Sequence, residues 1–203
     1  MDITVVQVTS EEEKMKVEDF IHEHFLPDMP LVEAFGVGNC PPPRPSAPRT
    51  GAKDFYVKAM DSQGRTVGVA INRVDPHPDT ESDTPPKVKK LIEFMEFAEE
   101  EAQLSKLPEG TIELRILSVS KEWRQRGVAR KMAEESMRLA KAAGFEAMRV
   151  CCTSEYTARL VRRMGWREHY RLAYKDYPKL SGRDVHLIPT PEHEYLYYYV
   201  VQL

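Results

Sequence analysis

Apolar residues alternate with polar ones in some stretches of the chain and recur at helical spacing in others, and together the stretches predict an ordered series of elements. Ile3 to Val8 reads as a short strand. Ser10 with Glu13 three residues on has the form of a capping box, opening a helix to about His24 whose apolar residues include Met15, Phe20 and Ile21. A long irregular stretch follows, over residues 26–52, where Pro41, Pro42, Pro43, Pro45 and Pro48 exclude a regular helix. Phe55 to Met60 and Thr66 to Val74 predict a hairpin around Asp61-Ser62-Gln63-Gly64. A second polar loop over 75–86 leads into a helix from about Lys87 to Leu104, with Leu91, Phe94, Met95 and Ala98 on one side. Ile112, Leu114 and Ile116 then alternate in a strand to Val119, before a helical pattern through Val128, Met132, Leu139 and Ala143 that stops at Gly144. Phe145 to Cys152 is the next strand and Thr157 to Met164 a short helix halted at Gly165; Trp166 to Tyr174 and Tyr195 to Val201 are two closing strands. No internal repeat or linker divides the chain, so residues 1–203 are expected to form a single domain of α+β class around a partly antiparallel sheet.

The turn Arg124-Gln125-Arg126-Gly127-Val128-Ala129 stands out within this series. Arg124, Arg126, Arg130 and Lys131 crowd the amino end of a helix, where the macrodipole disfavours cations. No Ser, Asp or Asn lies between Arg124 and Ala129 to cap the free N–H groups. Free donors and surplus positive charge together suit an anion, and a pyrophosphate fits. The alternative is a helix that starts at Lys121, capped by Ser120, with the arginines solvated. That arrangement would put Gly127 in a helix interior, at about 1 kcal/mol relative to Ala.

Composition narrows the partners. The formal net charge is −3, with 41% hydrophobic and 30% charged residues, as in an ordinary globular protein. A local basic cluster on a net-negative chain favours a small anion over a nucleic acid or an anionic membrane. No apolar run reaches the roughly 20 residues of a membrane span, and the start lacks a signal-peptide pattern. Cys40, Cys151 and Cys152 make a poor disulfide framework, which fits a reducing compartment; the cytoplasm and a monomer are expected. No metal-binding spacing occurs.

This order of elements, with Arg124, Gly127 and Ala129 at a strand-to-helix turn, resembles the GCN5-related N-acetyltransferases (GNAT). Ser154-Glu155-Tyr156-Thr157-Ala158-Arg159, followed by Met164-Gly165-Trp166, is similar to their second cofactor-contacting helix and closing Gly-aromatic pair. Within the superfamily the chain is most similar to the insect arylalkylamine N-acetyltransferases, through Phe25-Leu26-Pro27-Asp28-Met29-Pro30-Leu31, Ile116-Leu117-Ser118-Val119 and Cys152 to Arg159. Where that subfamily carries a Glu before the proline as its favoured base, this chain has Met29.

The resemblance implies a mixed, mostly antiparallel sheet flanked by helices, with a parallel strand pair splayed around acetyl-coenzyme A. Leu117, Ser118 and Val119 would pair with the pantetheine arm. Arg124, Gln125, Arg126, Gly127, Val128 and Ala129 would hold the pyrophosphate, and Ser154, Tyr156 and Arg159 would line the other wall. Phe25, Met29 and Thr153 would face a small amine, an arylalkylamine or, failing that, a polyamine or other nonaromatic amine. Loss of efficient transfer, leaving a coenzyme A-binding protein, is the rival made plausible by Met29. A primary amine with a lysine-like pKa is only about one part in a thousand neutral at pH 7, so a base is useful. Glu113 is the first candidate and Asp28 the second. Simple alternation puts Glu113, Arg115 and Leu117 on one strand face. Thr157 stands where the subfamily has a Ser proposed to protonate the departing thiolate. Cys151 and Cys152 read as strand residues rather than nucleophiles.

Overall fold

The computed structural model describes residues 2–38, 54–74, 84–183 and 192–203. Its elements are β1 (Thr4–Val8), α1 (Glu11–His24), α2 (Pro30–Ala34), β2 (Phe55–Met60), β3 (Thr66–Arg73), α3 (Pro86–Glu101), β4 (Thr111–Val119), α4 (Val128–Ala142), β5 (Ala147–Cys152), α5 (Glu155–Arg163), β6 (Arg167–Ala173), α6 (Tyr177–Ser181) and β7 (Tyr195–Gln202). The strands form one sheet in the order β1-β2-β3-β4-β5-β7-β6. Every pairing is antiparallel except that of β4 with β5. The α+β expectation holds, including the parallel pair at the centre.

Strand alternation sorts the core onto two faces. Val57, Ile112, Leu114, Met148, Val150, Tyr197 and Tyr199 pack against α4 and α5. The opposite face packs Tyr56, Val69 and Ile71 against α1, and Leu196 and Tyr198 against α2, α3 and α6. Two contacts seat α4 on β3. A Cβ on Gly68 would lie 2.8 Å from the Met132 methyl and 3.0 Å from the Ser118 carbonyl oxygen, so only glycine permits this approach. Alongside it, the buried Asn72 amide donates to the Ser136 hydroxyl at 3.1 Å. The helix that opens at the basic turn is thereby fixed to the sheet.

Local signals account for most element ends. Ser10 caps α1, its hydroxyl accepting the Glu13 N–H at 3.3 Å. The reciprocal half of the box is replaced, because Glu13 turns its carboxylate to Lys16 and Lys58. Asp61 accepts the N–H groups of Gln63 and Arg65 at 2.9 and 3.0 Å, closing the hairpin. Gly144 and Gly165 end α4 and α5 with φ of +88° and +83°.

Several expectations shift. The stretch after α1 is not wholly irregular: Leu26–Asp28 is a 3₁₀ turn, and α2 follows with Pro30 at its first position, where a missing N–H is harmless. Residues 39–52 of that loop, and 75–83 of the second, lie outside the described residues. α3 starts at Pro86 and ends at Glu101, ahead of Gln103 in the left-handed region at φ +53°. α5 begins at Glu155 instead of Thr157, because Ser154 caps it. β5 starts at Ala147, two residues later than Phe145. The short α6 was not signalled at all, being only five residues long.

One correction bears on the site. The register of β3 on β4 runs Ile71↔Ile116 and then Asn72↔Leu114, so Arg115 is an extra residue on β4. The bulge reverses the alternation. Leu117 returns to the α4 face with Leu114, while Ile116 packs toward α1. Glu113 and Leu117 therefore do not share a face.

Candidate functional site

Parallel pairing between β4 and β5 covers only Thr111↔Ala147, Ile112↔Met148 and Glu113↔Arg149. Beyond Glu113 the two strands separate, leaving a V that opens toward their carboxyl ends. Leu117, Ser118 and Val119 pair on their far edge with Ala70, Val69 and Gly68. Their near edge has no pairing with β5 and faces the V, as a strand edge that an extended ligand can extend.

The basic turn sits at the mouth of this V. A 3₁₀ turn at Lys121–Trp123 follows β4, so the alternative of a helix from Lys121 survives as three residues only. Gln125 and Gly127 both adopt positive φ, +60° and +77°. Gly127 takes the N-cap position of α4, and no side chain caps the helix. The first N–H groups of α4 accordingly lack intrahelical acceptors. Among the described residues, none beyond its chain neighbours comes within 4 Å of the point where a Gly127 Cβ would stand, so space is open there. Arg126 rests over the Trp123 ring at 5.1 Å, and Arg124 donates through Nε to the Val119 carbonyl at 3.1 Å. These features suit an anion held by backbone donors.

The amino end of α5, on the opposite wall, is closed by contrast. Ser154 Oγ accepts the Tyr156 N–H at 3.2 Å, and His193 Nδ1 accepts the Glu155 N–H at 3.2 Å. Tyr156 is 63% exposed and donates its hydroxyl to Glu192 at 2.9 Å, so it is not a core aromatic. Arg159 pairs with Glu155 at 3.1 Å. Thr157 is half-buried in the first turn, and Thr153 gives its carbonyl to the Tyr174 hydroxyl at 3.0 Å.

The two candidate bases occupy different surroundings. Glu113 is the last paired residue before the V and only 5% exposed. Its carboxylate meets the Arg149 guanidinium at 2.9 Å and that of Arg115 at 3.6 Å. Arg149 was missed in the sequence, since nothing in a single strand reveals a cross-strand ion pair. Asp28 lies at the end of the 3₁₀ turn and pairs with Arg124 and, at 3.3 Å, with Lys121. Burial raises its pKa, but the two cations outweigh it and hold the carboxyl below its ordinary value. Such a carboxylate is a weak proton acceptor at neutral pH. Its pairing instead ties the turn carrying Phe25 and Met29 to the basic turn. Phe25 packs toward the α1 cluster and Met29 toward the α2–α3 cluster.

Cys151 and Cys152 lie in β5, with both thiols pushed up by burial, which leaves them poor nucleophiles. Cys40 lies outside the described residues. Among the described residues no group of three or more His, Cys, Asp or Glu is placed to hold a metal, and no helix is long and apolar enough to cross a membrane.

Comparison with known proteins bears on the family and the fold. The profile of the Acetyltransferase (GNAT) family matches residues 22–166. Solved structures similar along the full chain include a mosquito arylalkylamine N-acetyltransferase-like 5b, with TM-score 0.79 and 19% identity over 100% of both chains. Arylalkylamine N-acetyltransferase 2 of Aedes aegypti gives 0.76 and 22%, covering 100% of this chain and 99% of that one. A Drosophila melanogaster polyamine N-acetyltransferase that forms N-acetylagmatine gives 0.74 and 24% over 100% of both. At these identities the likeness is one of fold.

Proposed function

The chain belongs to the acetyltransferase (GNAT) family, and from that premise we propose that it transfers an acetyl group from acetyl-coenzyme A to the primary amine of a small molecule, an arylalkylamine in the first instance. The observation that carries this reading is the open, uncapped turn at Gln125 and Gly127 beside a splayed parallel strand pair. Acetyl-coenzyme A supplies the activated acyl group when bound.

Each part of the site then has a task. Backbone N–H groups from Gln125 to Ala129 hold the pyrophosphate, with Arg124 and Arg126 adding charge. The free edge of Leu117, Ser118 and Val119 aligns the pantetheine arm. Phe25, Met29 and Thr153 face the amine, and Ser154, Tyr156 and Arg159 flank the cofactor on the α5 side. Glu113, at the base of the V, accepts the ammonium proton directly or through water, and the neutral amine attacks the thioester carbonyl. Thr157 gives a hydrogen bond to the departing sulfur. Asp28 acts through its pair with Arg124.

A thiol-release assay over arylalkylamines, polyamines and amino acids tests the proposal. Release with none of them, despite tight coenzyme A binding, would leave a binding protein in its place. Ion pairing of both Glu113 and Asp28 is the observation that favours this second reading. Preferential turnover of polyamines would keep the chemistry and change the amine.

Two expected results follow. Asp28→Asn frees Arg124 and Lys121 for the phosphates. Exposed ion pairs are worth about 0.2–1 kcal/mol, so acetyl-coenzyme A should bind more tightly by calorimetry, by a factor of about 1.4 to 5. The effect should vanish in acid, because the pair is complete only above the ordinary carboxylate range and is lost as Asp28 protonates. Weaker binding would show that Asp28 organises the cradle instead of competing for it. Met29 is uncharged and can neither attract an ammonium nor take its proton. Turnover of arylalkylamines should therefore climb steeply with pH, and Met29→Glu should raise it several-fold at pH 7. A flat profile unchanged by Met29→Glu would make Met29 pocket wall only.

A further inference from the structure

The β5–α5 turn is gripped from outside by residues 192–194 and by Tyr174. His193 is 7% exposed, and its Nδ1 accepts the Glu155 N–H. A neutral imidazole with Nδ1 as acceptor carries its proton on Nε2. The ring also meets that of Tyr156 edge-on, with centroids 5.4 Å apart at 81°. On either side of it, Glu192 takes the Tyr156 hydroxyl and the Glu194 carbonyl takes the Tyr174 N–H at 3.1 Å. Tyr174, itself 1% exposed, reaches back to the Thr153 carbonyl. Thr153, Glu155 and Tyr156 are thus all held by one bracket, built from the chain between the closing strands β6 and β7, at separations of 21, 38 and 36 residues.

We infer that His193 is a positioning residue for the acyl-transfer site, acting through the first turn of α5. The inference rests on the transferase reading above. Two first-turn donors of the helix are taken by side chains, Glu155 N–H by His193 and Tyr156 N–H by Ser154. Ser154 is a local cap and cannot by itself fix where the turn lies. His193 is the long-range contact, and Thr157 follows one residue after the side chain it packs against. A hydrogen bond to a leaving sulfur tolerates little displacement, and misplacement by about 1 Å can cost as much as a hundredfold in rate. Because the anion cradle belongs to α4 and the α5 side only flanks the cofactor, loss of His193 should lower the rate far more than cofactor affinity.

The test compares His193→Ala with His193→Asn, whose side-chain oxygen can accept the same N–H. Amide hydrogen exchange at Glu155 and Tyr156 reads the bracket without any turnover. In His193→Ala these amides should exchange at least tenfold faster, and kcat should fall about fivefold with the acetyl-coenzyme A dissociation constant within twofold of the parent. His193→Asn should recover most of both. In a Thr157→Ala background, His193→Ala should add little further loss, since it acts through that residue. Unchanged exchange would overturn the bracket. Faster exchange with unchanged kcat, or fully additive losses, would overturn the positioning role. If the parent releases no thiol with any amine, the transferase reading fails, while exchange still decides whether His193 holds the turn.

Discussion

Glu113→Gln is expected to lower turnover about a hundredfold and leave the acetyl-coenzyme A dissociation constant within twofold. The residue lies at the point where β4 and β5 part, buried and remote from the cradle, so cofactor binding has no reason to respond. The substitution also strips Arg149 and Arg115 of their shared carboxylate. Removing one partner of a buried ion pair destabilises by about 3–5 kcal/mol, so a bare loss of activity would be ambiguous. Two measurements separate the effects. Glu113→Gln combined with Arg149→Gln lowers the positive excess and should recover much of the lost melting temperature; turnover should remain low. The pH profile supplies the second. If Glu113 removes the ammonium proton, the deficit should shrink as pH nears the amine pKa, because substrate then arrives neutral. A deficit constant across pH would assign Glu113 to packing, and a deficit that shrinks with pH in Asp28→Asn alone would move the base there.

What the sequence disclosed and what it hid follow from the range of the interactions involved. Caps, turns and stops are local: Ser10, Asp61, Gly144 and Gly165 sit within four residues of the groups they satisfy, and each marks an element end that the structure retains. The uncapped turn at Gly127 was legible for the same reason, since its missing cap and its glycine lie in six consecutive residues. The bulge at Arg115 was not, because it exists only in the register of β4 against β3. Arg149 beside Glu113, Arg124 beside Asp28 and His193 beside Glu155 are separated by 36, 96 and 38 residues. No periodicity within one element can announce such pairs. Two carboxylates proposed as bases from their place in the chain thus turned out to be ion-paired, which sharpens the tests each must pass.

Gly127→Val is expected to raise the acetyl-coenzyme A dissociation constant at least tenfold, about 1.4 kcal/mol, in a protein that still folds. Two physical effects act in the same direction. At φ +77° a β-branched side chain is strained, by about 1–2 kcal/mol in the left-handed region, so the turn will relax and carry its donors off line. A valine that did hold the conformation would project into space that no described residue beyond the chain neighbours enters within 4 Å, where the pyrophosphate is proposed to rest. Gly127→Asn separates the two, because Asn tolerates positive φ far better while still adding bulk. If strain dominates, Asn should bind nearly as tightly as the parent; if bulk dominates, Asn should lose affinity almost as Val does. Either result keeps the cradle at Gly127. Calorimetric affinity unchanged in both folded variants would remove it, and with it the ground for placing the anion at the amino end of α4.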